Sequence, residues 1–499
     1  MAKYVMSSRR AGKFKETEKA MARAAVGLAI SSFSSHINLT RDIEPDDPLA
    51  RRIVKFDADP AEIQELSRNL DPDVILEPEI MHYKEVLTPF GYNTNQVGSP
   101  SLLQAGTGNT IKLKVVGANK PVKGAEVILN LSGAGGMSRT LKEVTNQHGR
   151  VSFSYSDFWT PSAAIAIPLA KFWTTVLFGP VNSSEIECPK LPKNGPLEWW
   201  HNTVGVNSHS KTRGKGIRVG VIDSGIGPHP YLSHATDLGA FVGTHDANAG
   251  ADVGSHGTHV SGTIGAKPTK DGDYAGIAPG ASLFSIRVFP NNEEGAPNDD
   301  IANAIDLLSK QHKVDLINLS LGSPISSSIL EDAIQDAAER GTLCICAAGN
   351  SSGPVEFPGA FSEAVAVSAL GQIGWPPPGT LASLRMPQLP SKFGDDNLFL
   401  ANFSCFGDEI DCCAPGAGIL ATIPDKMSNK FSYGAMGGTS MASPIVCGTL
   451  AAILSKNPAY KAMPRDETRT EFARKLLRQS CRSVGLNSNL QGAGVPTAP

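Results

Sequence analysis

Three polar residues stand where a hydrolytic relay could be assembled. The apolar run Ile217-Arg218-Val219-Gly220-Val221-Ile222 ends in Asp223-Ser224-Gly225. His256 opens His256-Gly257-Thr258-His259-Val260, and Ser440 lies in Gly437-Gly438-Thr439-Ser440-Met441-Ala442-Ser443-Pro444. A serine hydroxyl attacks poorly unless an imidazole takes its proton. A carboxylate must then hold that imidazole in one tautomer and stabilise its cation. Each residue alone has a plainer reading: Asp223 as a turn residue or helix cap, Ser440 as a cap. His256 and His259 could suggest a metal pair, but they are three apart and lack the glutamate of a His-Glu-x-x-His site. No metal and no cofactor is therefore expected.

These residues need elements to carry them. From about residue 197 the pattern alternates strand and helix. Ile217–Ile222, Val314–Leu319 and Thr342–Ala347 read as buried strands. Ile301, Ala304, Ile305 and Leu308 mark one helix face, and Leu330, Ile334, Ala337 and Ala338 mark another that stops at Gly341. Such alternation predicts an α/β fold, a parallel sheet with helices on both faces. Polar residues at the carboxyl ends of those strands are where ligands gather. Ser255 is placed to cap a helix starting at His256, and Ser440 to begin the apolar helix running through Leu454. Residues 376–396, rich in proline and glycine, read as a surface insertion that covers or extends the cleft.

The N-terminal part is organised differently. Residues 1–48 read as a polar leader. Residues 49–90 read as a small α+β unit: strand Arg52–Phe56, a helix opened by Asp59-Pro60, and strand Val74–Pro78. Alternating runs at Ile111–Val115, Ala125–Leu129 and Val151–Tyr155 predict a small β-sandwich over 105–182. The alternating strand–helix region is 197–499. Lys3, Arg9, Arg10, Lys13 and Lys15 precede a weak apolar stretch, as in a secretory signal, but Glu16 and Glu18 interrupt it, so a surface helix or loose tail is preferred.

Bulk properties exclude several classes. A net charge of −3 and a pI near 6.4 do not suit a nucleic-acid binder. No apolar run is long enough to span a membrane. The eight cysteines include the adjacent pair Cys412-Cys413 and no C-x-x-C pair. This argues against a zinc site and leans toward a reducing, cytoplasmic location, with secretion as the alternative.

Three motifs together resemble the subtilisin-like serine peptidases: Val221-Ile222-Asp223-Ser224-Gly225, His256-Gly257-Thr258-His259-Val260-Ser261-Gly262 and Gly438-Thr439-Ser440-Met441-Ala442-Ser443-Pro444. They stand in that family's Asp, His, Ser order. The resemblance spans about Trp199 to Val495. It implies a serine endopeptidase acting on polypeptide, with Asp223, His256 and Ser440 catalytic and Asn350, in Ala347-Ala348-Gly349-Asn350, as an oxyanion donor. Ser320, Leu321 and Gly322 would pair with an extended substrate. Ala347, Ala348 and Gly349 would wall the pocket before the scissile bond. Glu356 would lie at its base and favour Lys or Arg there. Ile445 stands where many members have histidine. Residues 52–83 resemble a reduced inhibitory propeptide, and the segment around Pro121–Tyr155 resembles bacterial immunoglobulin-like modules. Intramolecular inhibition by the N-terminal segment follows as an expectation. The alternative is a catalytically silent, protease-like binding or regulatory protein. A lipase or esterase is excluded, since no Gly-x-Ser-x-Gly elbow surrounds Ser440.

Overall fold

The computed structural model describes residues 1–10, 16–33, 37–43, 51–85, 108–179, 181, 185–291, 294–425 and 432–499. Its largest element is a nine-stranded sheet. The strand order runs Thr244–Asp246, Thr236–Val242, Ser282–Arg287, Arg218–Asp223, Leu316–Leu319, Leu343–Ala347 and Ala364–Gln372, and the last of these pairs with both Leu398–Leu400 and Ile410–Pro415. The central pairings are parallel and only the edge strands turn back. Strands buried on both faces are continuous apolar runs, as parallel sheets require. Two cores flank the sheet. The helices His256–Gly265 and Thr439–Lys456 fill one with Val260, Ile264, Ile445 and Leu450. The helices Asn298–Asp306 and Ser328–Glu339 fill the other with Ile301, Ile305, Leu330 and Ile334. Gly341 ends the second pair at φ 74°, a left-handed turn that a side chain would resist.

The first eighty-five residues do not divide at 48/49. Ala2–Ser8, expected within a leader, is an inner strand of a four-stranded sheet. It pairs antiparallel with Ile53–Ala58 on one side and Val74–Pro78 on the other. Val5, Met6 and Phe56 are wholly buried, so the strand is held by burial as much as by its ladder. Residues 16–33 form a helix against the same sheet, and Val26 enters its core. The Asp59 carboxylate accepts from the Ala61 N–H at 2.8 Å, capping the short helix Pro60–Leu66. Residues 86–90 of the expected unit lie outside the described residues.

Residues 108–187 form two sheets around their own core, which includes Leu113, Val127, Leu129 and Phe153. The strand Glu185–Glu187, beyond the expected boundary at 182, joins Asn109–Gly117 in parallel. The insertion at 376–396 is fastened at its start, away from Asp223 and His256, while its Lys392 lies over the Phe406 ring. The Leu381 N–H donates to the Thr174 carbonyl and the Val176 N–H to that of Gly379, which fastens the insertion to this two-sheet unit. Trp375 packs edge-on against Trp173 and Trp200 at 6.0 and 5.6 Å, an aromatic seam that joins the unit to the main core.

Candidate functional site

Asp223 is the last residue of a central strand and His256 the first of a helix, and their side chains meet. His256 Nδ1 is 2.7 Å from Asp223 Oδ1, with both groups buried. The same oxygen accepts the Ser224 N–H at 2.6 Å. This leaves His256 Nε2 without a hydrogen-bond partner among the described residues, free to take a proton.

Ser255 does not cap the histidine helix. Its hydroxyl donates to the Gly254 carbonyl. The free N–H groups are taken instead by Asp252, whose Oδ2 accepts from Thr258 N at 3.0 Å, and by Ser224 Oγ, which accepts from Gly257 N at 2.9 Å. Ser224 Oγ in turn donates to Asp252 Oδ1 at 2.8 Å. Asp252 is thus a positioning residue that motif reading passed over. A carboxylate four residues before the histidine was the available signal. Burial raises its pKa, against the opposing pull of the Thr258, Gly254 and Ser224 hydrogen bonds. His259, one turn on, is a core histidine. Its Nε2 lies 3.0 Å from the Ile419 carbonyl, and burial pushes its pKa down to about 3.

Ser440 lies in the first turn of its helix. Pro444 has no N–H to offer the carbonyl four residues back. That carbonyl, on Ser440, accepts the Ser320 hydroxyl at 2.9 Å instead, tying the Ser440 backbone to the end of the neighbouring strand. Ser320 Oγ also lies 3.0 Å from Ser443 Oγ and accepts from Asn318 Nδ2 at 2.8 Å. The Ser440 hydroxyl donates to the Ser320 carbonyl at 2.9 Å. Asn350 follows the strand Leu343–Ala347. Its Oδ1 accepts from Thr439 N and Oγ1 at 2.9 and 3.1 Å, which turns Nδ2 toward Gly438, and no described group pairs with that Nδ2.

The groove beside these residues is filled by the chain's own Met81–Lys84. Lys84 pairs with Leu321 and Tyr83 with Gly322 on one side. His82 pairs with Ala296 and Met81 with Pro297 on the other. The result is a three-stranded antiparallel sheet in which residues 81–84 are the middle strand. Ala296 and Pro297 escaped the sequence reading, because a two-residue strand carries no periodicity. Glu85 N–H donates to the Ser320 carbonyl at 3.2 Å, and the Ser440 N–H donates to the Glu85 carbonyl at 3.1 Å. A Cβ on Gly438 would lie 2.1 Å from that Glu85 oxygen and 3.1 Å from Asn350 Nδ2. Only glycine lets a peptide carbonyl come so close.

Ala347–Gly349 and Glu356, expected to line a pocket, lie against one another. Glu356 N–H donates to the Ala348 carbonyl at 2.9 Å, and a Cβ on Gly349 would lie 2.8 Å from Glu356 Cγ. Cys405 lies beside them, its Sγ 4.0 Å from Glu356 Oε1. Among the described residues no cluster of His, Cys, Asp or Glu is arranged to hold a metal ion, and no helix is long and apolar enough to cross a membrane.

Comparison with known proteins bears on the same region. Residues 214–494 match the model of the subtilase family, peptidase S8. Subtilisin Savinase of Lederbergia lenta is 32% identical over 289 residues, covering 57% of this chain and 90% of that protein. M-protease of Shouchella clausii (strain KSM-K16) is equally identical over the same share of this chain, which there spans 64% of the relative's length. Among solved structures, that of fervidolysin from Fervidobacterium pennivorans, a keratinolytic enzyme related to subtilisin, aligns with a TM-score of 0.60 and 19% identity. The alignment covers all of this chain and 60% of fervidolysin, and at that identity it shows the fold alone.

The cytoplasmic location expected from the cysteines is overturned. Most of these relatives are subtilisins and alkaline proteases, which favours a secreted protein. All eight thiols are unpaired, but seven are buried, and burial pushes Cys344 up to about 12. Thiols so placed are inert, so their number does not report the compartment. The chain belongs to the subtilase family, and residues 214–494 are its serine-peptidase domain.

Proposed function

We propose that this chain is a serine endopeptidase that cuts polypeptides through an acyl-enzyme, with Asp223, His256 and Ser440 as its relay. One observation carries the reading: the backbone N–H of Ser440 and the open amide face of Asn350 converge on the carbonyl of an extended peptide, that of Glu85. In that reading the Ser440 hydroxyl leaves the Ser320 carbonyl and turns to His256 Nε2. It gives up its proton and attacks the peptide carbon. His256 then passes the proton to the departing amine, and water cleaves the ester by the same route in reverse. Ser440 N–H and Asn350 Nδ2 hold the oxyanion. One such donor is worth about 10²–10³ in kcat, a magnitude that belongs to subtilisin itself. A fluorophosphonate probe should label Ser440 in the processed protein, and its failure to do so would remove the assignment.

Substrate binds by strand addition between residues 296–297 and 321–322, where residues 81–84 now lie. The same occupancy supports a further reading, that residues 2–85 act as a propeptide-like inhibitor; the two sheets and separate core of the unit over 108–187 support an immunoglobulin-like platform. With the pocket empty, the Glu356 carboxylate favours Lys or Arg before the scissile bond. A peptide series varied at that position should show higher kcat/KM for Arg and Lys than for Phe, and Glu356→Gln should abolish the difference. Equal rates for Arg and Phe in the unmodified enzyme would exclude it.

The second reading, a catalytically silent protease-like regulator, is favoured by the Ser440 hydroxyl bonding to Ser320 and by the filled cleft. The same probe separates the two, since a silent protein leaves Ser440 unlabelled after residues 81–85 are displaced.

A further inference from the structure

The residue delivered to the pocket carries the wrong charge for its floor. Glu85 is buried, only 6% exposed, and its carboxyl faces that of Glu356. A Cβ on Gly322 would lie 2.8 Å from Glu85 Oε1 and 3.1 Å from Glu356 Oε2, so both acids look onto one point. That places the two carboxyls side by side, with Glu85 out of water. Carboxylates are acceptors only, so a hydrogen bond between them needs a proton on one. The Cys405 thiol, which Ser351 Oγ approaches at 3.1 Å, lies 4.0 Å from Glu356 Oε1, and the backbone of Asn350 favours the charged form of Glu85. The nearest cation on that side, Lys392, acts on Cys405 and lies over the Phe406 ring at 5.0 Å. On the strand itself, Lys84 Nζ lies over the Phe289 ring at 5.2 Å and His82 is fully buried.

We propose that Glu356 recognises a protonated carboxyl, and that the Glu85–Glu356 pair is a one-proton latch that holds residues 1–85 in the cleft and lets go when the proton leaves. The latch rests on the reading of residues 81–85 as inhibitory and adds the residue pair that controls it. It also makes one residue serve two states. With Glu85 bound, Glu356 shares a proton with it. With Glu85 gone, Glu356 is a lone anion that attracts basic side chains. The occupant is thus matched to the protonated pocket and the substrate to the ionised one.

The pH dependence has a definite sign. Burial first, and Glu356 second, raise the Glu85 pKa well above its ordinary value of 4.5. Its contribution to docking is therefore complete below 4.5 and falls as pH rises through the docked value, tenfold per unit for one proton. His82 acts oppositely. Burial lowers its pKa from 6.5 to about 4, so its docked, neutral form is penalised as pH falls below 6.5. The two trends oppose each other below about 6.5, and the His82 trend ends there.

The test uses the full chain with Ser440→Ala, which leaves residues 81–85 attached. Hydrogen exchange of residues 81–85 and 321–322 is followed by mass spectrometry from pH 5 to 9, corrected for intrinsic rates. Opening, taken relative to that of the Glu85→Gln variant, should increase with pH by up to tenfold per unit. Glu85→Gln keeps a hydrogen-bonding side chain without the ionisable proton, so it should abolish that rise and leave only the His82 trend, with opening increasing toward pH 5. Glu356→Gln should act likewise, as an independent variant on the other side of the pair. Protection that is strong at every pH and the same in all three chains overturns the latch while leaving the inhibitory reading intact. Absence of protection in all three, at every pH, overturns both.

Discussion

Ser440→Ala should lower kcat for peptide hydrolysis by about 10⁶-fold, and adding His256→Ala should cost almost nothing more. The magnitude is that of subtilisin itself; the non-additivity follows from the arrangement here. His256 Nε2 has no partner among the described residues, and its only proposed work is to move the Ser440 proton. Once the hydroxyl is gone, the base has nothing to accept. Asp223 acts one step further back, through its 2.7 Å bond to Nδ1, so Asp223→Ala should cost less, about 10⁴-fold. All variants should keep a residual rate above that in water, because Ser440 N–H and Asn350 still face the carbonyl. The comparison is made at saturating peptide, where substrate displaces residues 81–85 equally in each chain. Losses that multiply, with the double variant near 10¹²-fold, would mean that Ser440 and His256 do not act as one unit.

The parts legible in the sequence are those whose signal is local. Asp223 ends one buried strand, Ser320 and Asn350 follow two others, and the apolar runs of those strands mark their ends. The helix stop at Gly341 and the cap at Asp59 are legible for the same reason, since one residue type meets one backbone need. Non-local features leave no such mark. Lys84 finds Leu321 across 237 positions through backbone ladder bonds, and backbone groups are the same in every residue. Ala2–Ser8 reads as a tail because Ser7 and Ser8, both buried, break its apolar pattern. Ser255 has the right type and place for a cap, but Asp252 and Ser224 reach the same N–H groups. Nothing in the sequence of 376–396 shows that Gly379 and Leu381 fasten it to Val176 and Thr174.

Arg51→Ala should loosen the N-terminal unit by about 3–5 kcal/mol, on the order of a hundred- to a few-thousand-fold. The Arg51 side chain is entirely buried between that unit and the helix Ser328–Glu339. Its Nε donates to Asp306 Oδ2 at 3.2 Å, Nη1 donates to Asp332, and Nη2 is 3.8 Å from Asp336. Arg10 and Arg340 reach Asp336 at 3.6 and 2.7 Å, while Asp332 also accepts the Arg10 backbone N–H at 3.0 Å. Removing the central guanidinium leaves buried carboxylates facing one another with too little positive charge. The cost is that of stranded anions, larger than the worth of the intact cluster. Lysine keeps the charge but not the fork that reaches three acids, so Arg51→Lys should recover only part of the loss. Exchange of the strand Ile53–Ala58 in the Ser440→Ala chain reads the effect. Lys114→Ala, which breaks the exposed pair with Glu185 at 2.7 Å, should change stability by less than about 1 kcal/mol in the same chain. An Arg51→Ala effect no larger than that of Lys114→Ala would show that the unit is held by its strand in the cleft rather than by this buried cluster.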